Sequence, residues 1–308
     1  MNKVTKNKGL INFGGTQKVA GSAIGDGASI TIGHPAPQHT QAASEQRRTW
    51  DIGVVTILAK EAKAILKELG LKKDETNTRK QRFYTGNVKV LGAAVDVVVT
   101  RASGPGQRAA MTALGNLRRY YDPAVLVLVG IGGAIHHGIG INDVVVATRV
   151  VYYDLRKVTA EGVRRRSEDR ESPAWMVQAV NSFFTDHGQP AELRAEKSAG
   201  QATPFRVFPG PIGSGDAVIA DEQSEIRKYL DAYSTYSDKI LAVDMEAGGL
   251  SQFCHETSSA SGALPGWVVI RGISDHADHT KNDDQHDSAA MNAAHTLHRM
   301  IPYIHTGV

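Results

Sequence analysis

The chain has one cysteine, Cys254, among 308 residues, so no intrachain disulfide is available and a reducing compartment suits it. Cys254 follows Leu250 and Phe253 in a helical pattern and reads as a packing residue. Charge of one sign is also scarce. The formal net charge is +3, too small to require nucleic acid as a partner, and no nucleic-acid-binding motif is present. The one sharp basic run, Arg164-Arg165-Arg166, is diluted by Glu161, Glu168 and Asp169 and reads as a solvated loop. No apolar run approaches the roughly 18 residues of a membrane helix. The first residues lack a charged-then-apolar leader, so the expected location is the cytoplasm, away from membranes. His136-His137 and His276/His279 lack the cysteines or the HExxH pattern that would complete a metal site, so neither a metal nor another cofactor is expected. Ser103-Gly104-Pro105-Gly106 is a turn without the partners of a nucleophile elbow.

What the chain does have is a composition of 41% hydrophobic and 22% charged residues, which fits one large globular domain with an appendage. Residues 1–48 are the appendage. Gly14-Gly15, Gly21, Gly25, Gly27 and Gly33 punctuate a segment with few large side chains, and Pro35 and Pro37 open a polar linker. Such a segment cannot bury a core alone. It is either a tail or an adaptor that docks on a regulatory protein.

Residues 49–308 read as the main domain. Ile52–Ile57 is a buried strand, and Ala59–Leu69 a helix with Ala62, Ile65, Leu66 and Leu69 on one face. Phe83–Thr100 reads as a hairpin around Leu91-Gly92-Ala93, Gly106–Tyr121 as a helix, and Ala124–Val129 as a strand ending in a Gly130-Ile131-Gly132-Gly133-Ala134 turn. Strand-like segments at Asp143–Tyr153, helices at Ser172–His187, Asp221–Tyr233 and Ser288–Ile304, and apolar strands at Lys239–Val243 and Trp267–Ile273 complete the pattern. Apolar strands alternating with helices predict an α/β fold of three layers, a mixed central β-sheet flanked by helices.

Two of those strands deliver acids. Asp244-Met245-Glu246 follows one, and Ser274-Asp275 the other; a carboxylate beside an apolar run is costly to bury without a partner or a task. In α/β sheets, ligands bind at the carboxyl ends of strands. The strings Met245-Glu246-Ala247 and Arg271-Gly272-Ile273-Ser274-Asp275-His276-Ala277-Asp278 resemble the two signatures of the nucleoside phosphorylase/nucleosidase superfamily, and the resemblance runs from about Asp51 to the C-terminus. Tyr153-Asp154-Leu155-Arg156-Lys157-Val158 adds a likeness to the phosphorylase-like domains of immune-type NTPase proteins. Methylthioadenosine/adenosylhomocysteine nucleosidases are the next nearest.

The resemblance implies cleavage of a purine N-glycosidic bond, and it implies roles. Asp275 would be the general acid toward the base nitrogen, its bland alternative being a turn cap. Glu246, with Met245 as an apolar wall, would grip the ribose diol; alternatively it is a helix-start acid meeting the macrodipole. Glu61 would activate water, or else be an ordinary first-turn glutamate. Ser214, Asp216, Val218 and Ile219 would border the base, with Asp216 orienting it or Asp275, or they form a plain β-turn. Gly130, Gly132 and Gly133 would let backbone N–H groups approach the ligand. The phosphorylases carry an arginine and a serine where this chain has Leu128 and Ile131, so hydrolysis is expected over phosphorolysis.

Arg82, Arg101, Arg156, Lys157 and Lys281 are candidate phosphate grips. Together with the immune-type likeness they favour an adenine nucleotide such as ATP, and a role in bacterial antiphage defence. Two other expectations stand beside this one: a methylthioadenosine/adenosylhomocysteine nucleosidase or purine nucleoside phosphorylase, and an inactive nucleotide-binding sensor. By resemblance the chain is expected to form a homo-oligomer.

Overall fold

β1 (Ile52–Thr56) is buried along its whole length, as a strand covered by helices on both faces must be. The computed structural model containing it describes residues 50–305 apart from 79, 91, 197–201, 237–238, 262–264 and 280–281. The expected adaptor at 1–48 and the candidate Lys281 therefore lie outside the described residues. After β1 come α1 (Ala59–Leu69), β2 (Lys72–Lys73), β3 (Phe83–Val90), β4 (Ala93–Arg101), α2 (Gln107–Tyr121) and β5 (Val125–Ala134). The middle of the chain forms β6 (Val144–Ala147), β7 (Arg149–Tyr152), β8 (Arg156–Thr159), β9 (Gly162–Arg165), β10 (Glu168–Glu171), α3 (Ala174–His187), β11 (Ala191–Glu196) and β12 (Ala202–Pro209). The last elements are β13 (Ile212–Ser214), α4 (Glu225–Tyr236), β14 (Ala242–Asp244), α5 (Ala247–Ser261), β15 (Gly266–Asp275) and α6 (His286–Ile304).

The sheet is mixed and β5 is its centre. β1 and β15 lie parallel to β5 on either side, with Ile52 and Gly266 both opposite Val125. Beyond β1 the order continues through β4, β3 and β2. The far end of β5 leaves β1 and takes β14 antiparallel, placing Val243 opposite Gly133, and β13, β7 and β10 follow outward. β15 carries β6 on its other edge, followed by β12 and β11. β8 and β9 form a separate two-stranded ribbon.

The period of two along the strands sorts the core into two layers. Ile52 and Val54 of β1 and Val125 and Val127 of β5 pack with Ile65 of α1 and Leu297 of α6. Val55, Leu126 and Leu128 point the other way, onto Leu114 and Leu117 of α2 and Leu250 of α5. Each such aliphatic side chain, fully buried, contributes about 1.5–3 kcal/mol. This is the three-layer α/β arrangement expected. Cys254 is buried in the second layer, where burial pushes its thiol up and away from the reactive thiolate. No described helix is long and apolar enough to cross a membrane.

Several expected boundaries shift for identifiable reasons. Gly130, Gly132 and Gly133 do not form a turn; they continue β5 to Ala134 because β15 and β14 supply their ladder partners. Their missing side chains leave room for the groups packed against them. A Cβ on Gly130 would lie 2.5 Å from Glu61 Oε1, and one on Gly133 would lie 2.8 Å from Asp275 Oδ1. Ser274 and Asp275 likewise belong to β15 rather than to a turn. α4 begins at Glu225 and not Asp221, since Asp221 and Ser224 spend their oxygens on the N–H groups of Gln223 and Arg227 and so shape the entry. Arg164 and Arg165 lie in the β8–β9 ribbon and not in a loop.

Candidate active site

Glu61 sits at the third position of α1, where a glutamate can reach back over the helix start. Its Oε2 accepts from the N–H of Leu58 at 2.7 Å and of Ile57 at 2.8 Å. Its Oε1 crosses to β5 and accepts from the N–H of Ile131 at 2.9 Å. Three backbone donors thus hold one buried carboxylate at the joint of β1, α1 and β5. A carboxylate has about four lone-pair sites, so one remains for a ligand.

Arg271 is the organising cation of the site. It lies in β15 opposite Gly130 and is fully buried. Its Nε and Nη2 both donate to Asp244 Oδ2, the former at 2.9 Å, and Nη2 also donates to Glu246 Oε2 at 3.0 Å. Burial by itself would lower the basicity of this guanidinium, but Asp244, Glu246 and Glu61 around it hold it above the usual value. Asp244 Oδ1 and Oδ2 also accept from the N–H of Ala247 at 3.1 Å, closing the start of α5. Glu246 Oε1 accepts from the N–H of Gly106 at 2.9 Å, which ties in the loop before α2. Burial pushes the Glu246 carboxyl above its ordinary range; Arg271 opposes that shift and Asp244 adds to it.

Asp275 ends β15. The ladder between β15 and β5 shifts register between Ile273 and Asp275, making Ser274 the extra residue of a bulge, a device that re-aims side chains beside active sites. Asp275 Oδ2 accepts from Ser274 Oγ at 2.9 Å and Oδ1 from the N–H of Ala277 at 2.9 Å. Ala277 has a φ of 51°, the left-handed conformation that folds its N–H back onto the carboxylate.

Glu61, Asp244, Glu246 and Asp275 all line one cavity of about 170 Å³. Its apolar walls include Ile57, Leu58, Pro105, Ile131, Val218, Ile219 and Met245, and Gly132 and Gly133 form part of its floor. The structure thus brings Glu61, Met245, Glu246, Asp275, Val218 and Ile219 together in one lining. Gly130 lies outside the lining, beneath Arg271 and Glu61.

The other candidates fall elsewhere. Ser214 is not part of the cavity lining; it is fully buried, and its Oγ accepts from Gln107 Nε2 at 3.0 Å and the N–H of Gly248 at 2.9 Å, joining α2 to α5. Asp216 is exposed and accepts from Tyr152 OH at 3.4 Å rather than orienting Asp275. Arg156 and Lys157 project from the ribbon, outside the cavity lining. Arg82 and Arg101 line a second, larger groove next to it. Arg271 and Asp244 are the residues whose work the sequence reading missed. The signal was present, because an arginine within the apolar run Trp267–Ile273 can be buried only if carboxylates meet it. Gln107 and His286 gave no such signal.

Known proteins resemble this chain in sequence and in fold. ATP nucleosidase Cap17 of Escherichia coli (strain KTE188) is 24% identical over 264 residues, covering 82% of this chain but 51% of that protein, so the chain spans about half its length. The 5′-methylthioadenosine/S-adenosylhomocysteine nucleosidase of Anoxybacillus flavithermus is 28% identical over 240 residues, 75% of this chain and 88% of that one. The fold is shared with the corresponding nucleosidase of Helicobacter pylori, at a TM-score of 0.62 and 19% identity over 82% of this chain and 98% of that one. The futalosine hydrolase of the same organism superposes equally well, with a TM-score of 0.62. Residues 51–302 match the model of the phosphorylase superfamily, and the chain belongs to that family.

Proposed function

We propose that this chain hydrolyses the N-glycosidic bond of a purine nucleotide, an adenine nucleotide such as ATP before others, releasing the base and leaving a ribose phosphate. The observation that carries this reading is the convergence of Glu61, Glu246 and Asp275 on one small cavity from three separate places, α1, the joint between β14 and α5, and the end of β15. In the proposed reaction Asp275 donates a proton to the ring nitrogen of the base, so that the base departs neutral with the electrons of the broken bond. Glu246 accepts hydrogen bonds from the ribose hydroxyls while the ribosyl group becomes cation-like. Glu61 takes a proton from the water whose oxygen bonds to the anomeric carbon.

Water is favoured over phosphate as the acceptor. Ile131 offers the cavity an apolar side chain and gives its N–H to Glu61, while Leu128 is buried in the core layer under α2. Arg271, which sits behind the cavity carboxylates, is already engaged by two of them. The apolar walls Leu58 and Pro105 also support a second reading, a thioether nucleoside such as 5′-methylthioadenosine as substrate. The likeness to an ATP nucleosidase and to immune-associated domains supports nucleotide depletion in antiphage defence as the biological setting.

The test is release of free base from ATP, 5′-methylthioadenosine and inosine in dialysed buffer, with and without phosphate. Adenine from ATP without added phosphate is the expected result. Asp275→Asn should lower turnover about 10²–10⁴-fold, the usual worth of a general acid. Near-wild-type turnover in that variant removes Asp275 from the mechanism, and a strict phosphate requirement replaces hydrolysis by phosphorolysis.

A further inference from the structure

Next to the candidate catalytic cavity runs a groove of about 950 Å³ whose lining includes Lys63, Lys67, Lys80, Arg82 and Arg101 and, among the described residues, no carboxylate. Lys63, Lys80, Arg82 and Arg101 are exposed, and none of these four is ion-paired among the described residues. Between them the walls are apolar: Leu66, Ala102 and Ala109 belong to the lining. Cations gathered over low-dielectric walls focus a positive potential into the cleft.

The two spaces share a border in the chain. Leu58 and Glu61 face the small cavity while Ala59, Ala62 and Lys63 face the groove. In the loop after β4, Ser103 lines the groove and Pro105 the cavity. The groove therefore opens at the wall formed by the β1–α1 turn and the 102–106 loop. Glu246 is tied to that wall through the Gly106 N–H at 2.9 Å, whereas Asp275 enters the cavity from the end of β15. A nucleoside with its base at Asp275 and its diol at Glu246 would have its sugar beside the 102–106 loop, within reach of the groove that the same loop lines. The cavity alone, at about 170 Å³, is also smaller than the roughly 300–1,000 Å³ common for ligand pockets.

We propose that the basic groove holds the 5′-polyphosphate of the substrate, with Arg82, Arg101 and Lys63 as its principal contacts. This rests on the nucleotide reading above and assigns the residues that distinguish a nucleotide from a nucleoside. It places the ribbon cations Arg156 and Lys157 outside this subsite.

The test measures binding in full-length Asp275→Asn protein, where turnover is suppressed, by titration calorimetry with ATP and with adenosine. ATP should bind at least about tenfold more tightly than adenosine. Adding Arg82→Ala and Arg101→Ala should erase that difference, since each charge-assisted hydrogen bond to phosphate is worth about tenfold or more in affinity. The ATP advantage should also shrink as salt is raised from about 50 to about 500 mM, because salt screens exposed charges. Equal affinity for ATP and adenosine overturns the proposal, as does an ATP advantage that survives the double substitution. Absence of adenine release from ATP by the wild-type chain, with ATP still held through Arg82 and Arg101, removes the hydrolase reading and leaves the groove assignment standing.

Discussion

Replacing Arg271 with Met keeps much of the side chain's length and removes its charge from a site where none of it touches solvent. Asp244 would lose the donors Nε and Nη2, and Glu246 would lose Nη2. Removing one partner of a buried pair costs about 3–5 kcal/mol, because the remaining charge stays buried without compensation. In a domain of this size each kcal/mol lowers the melting temperature by about 2–4 °C, so a fall of roughly 6–20 °C is expected. The loss has a pH signature. Burial and Asp244 both push the Glu246 carboxyl up, and Arg271 is the group that opposes them. Without it the folded-state value rises further above the unfolded one. A group raised in this way contributes its stability below the unfolded value and loses it as pH climbs. The variant should therefore be closest to wild type near pH 5 and furthest from it near pH 8. Adding Asp244→Asn should return part of the loss, since one uncompensated charge is then gone. Calorimetric melts at both pH values provide the assay. A destabilisation below about 1 kcal/mol, or one that does not grow with pH, would refute the view that this guanidinium holds the carboxylates in place.

Glu246→Gln should impair cleavage of ribonucleotides more than of 2′-deoxyribonucleotides, because an amide cannot fully replace charge-assisted bonds to two hydroxyls; equal losses in kcat/KM on both substrates would make Glu246 purely structural. Gly130→Ala should reduce activity sharply with the fold retained, since its Cβ would meet Glu61 Oε1 and Arg271 Nη1; comparing kcat with circular dichroism checks this, and wild-type kcat would refute it. Glu68 accepts from His295 at 2.9 Å and His298 at 3.0 Å, and these bonds lower its carboxyl to about 2. A lowered acid contributes stability above its unfolded value and loses it as pH falls toward the folded one. The stability gap between wild type and Glu68→Gln should thus close as pH drops from about 4.5 to 2, and a gap that stays constant would show the pair to be inert.

The parts of this molecule that are legible in the sequence are those where composition and consequence coincide. Val54 and Val55, or Leu126 and Val127, are apolar on alternate faces, and that alone demands helices above and below the sheet. Asp275 and Glu246 stand out because acids beside apolar strands are costly. The glycines after Val129 read as a turn because glycine looks the same whether it supplies an unusual φ or only an absent side chain; here the second reason applies, and it depends on Arg271 and Glu61 arriving from distant segments. Ser214 lies outside the cavity lining for a related reason. Its partners Gln107 and Gly248 are brought together only by the packing of α2 on α5. Arg82 and Arg101 could be named as cations, but their position in the groove depends on how β3 and β4 meet the first turns of α1.

The pairing of β5 with β15 has a consequence for how the chain finds its fold. Strand register is usually fixed by alternation, since a slip of one residue exchanges the buried and exposed faces. Val125–Val129 and Trp267–Ile270 are buried on both faces, so a slipped pairing would bury hydrophobic surface about as well. It would fail on other grounds. Arg271 would face Val129 or Ile131 in place of Gly130, and a side chain would replace Gly272 beneath α6, where even a Cβ would approach the Ala289 carbonyl carbon to 2.6 Å. One arginine and two glycines thus select the correct alignment from a set that hydrophobicity leaves nearly degenerate. The charge cluster around Arg271 therefore also disfavours misaligned pairings, so a variant at Arg271 removes a determinant of strand register along with a charge.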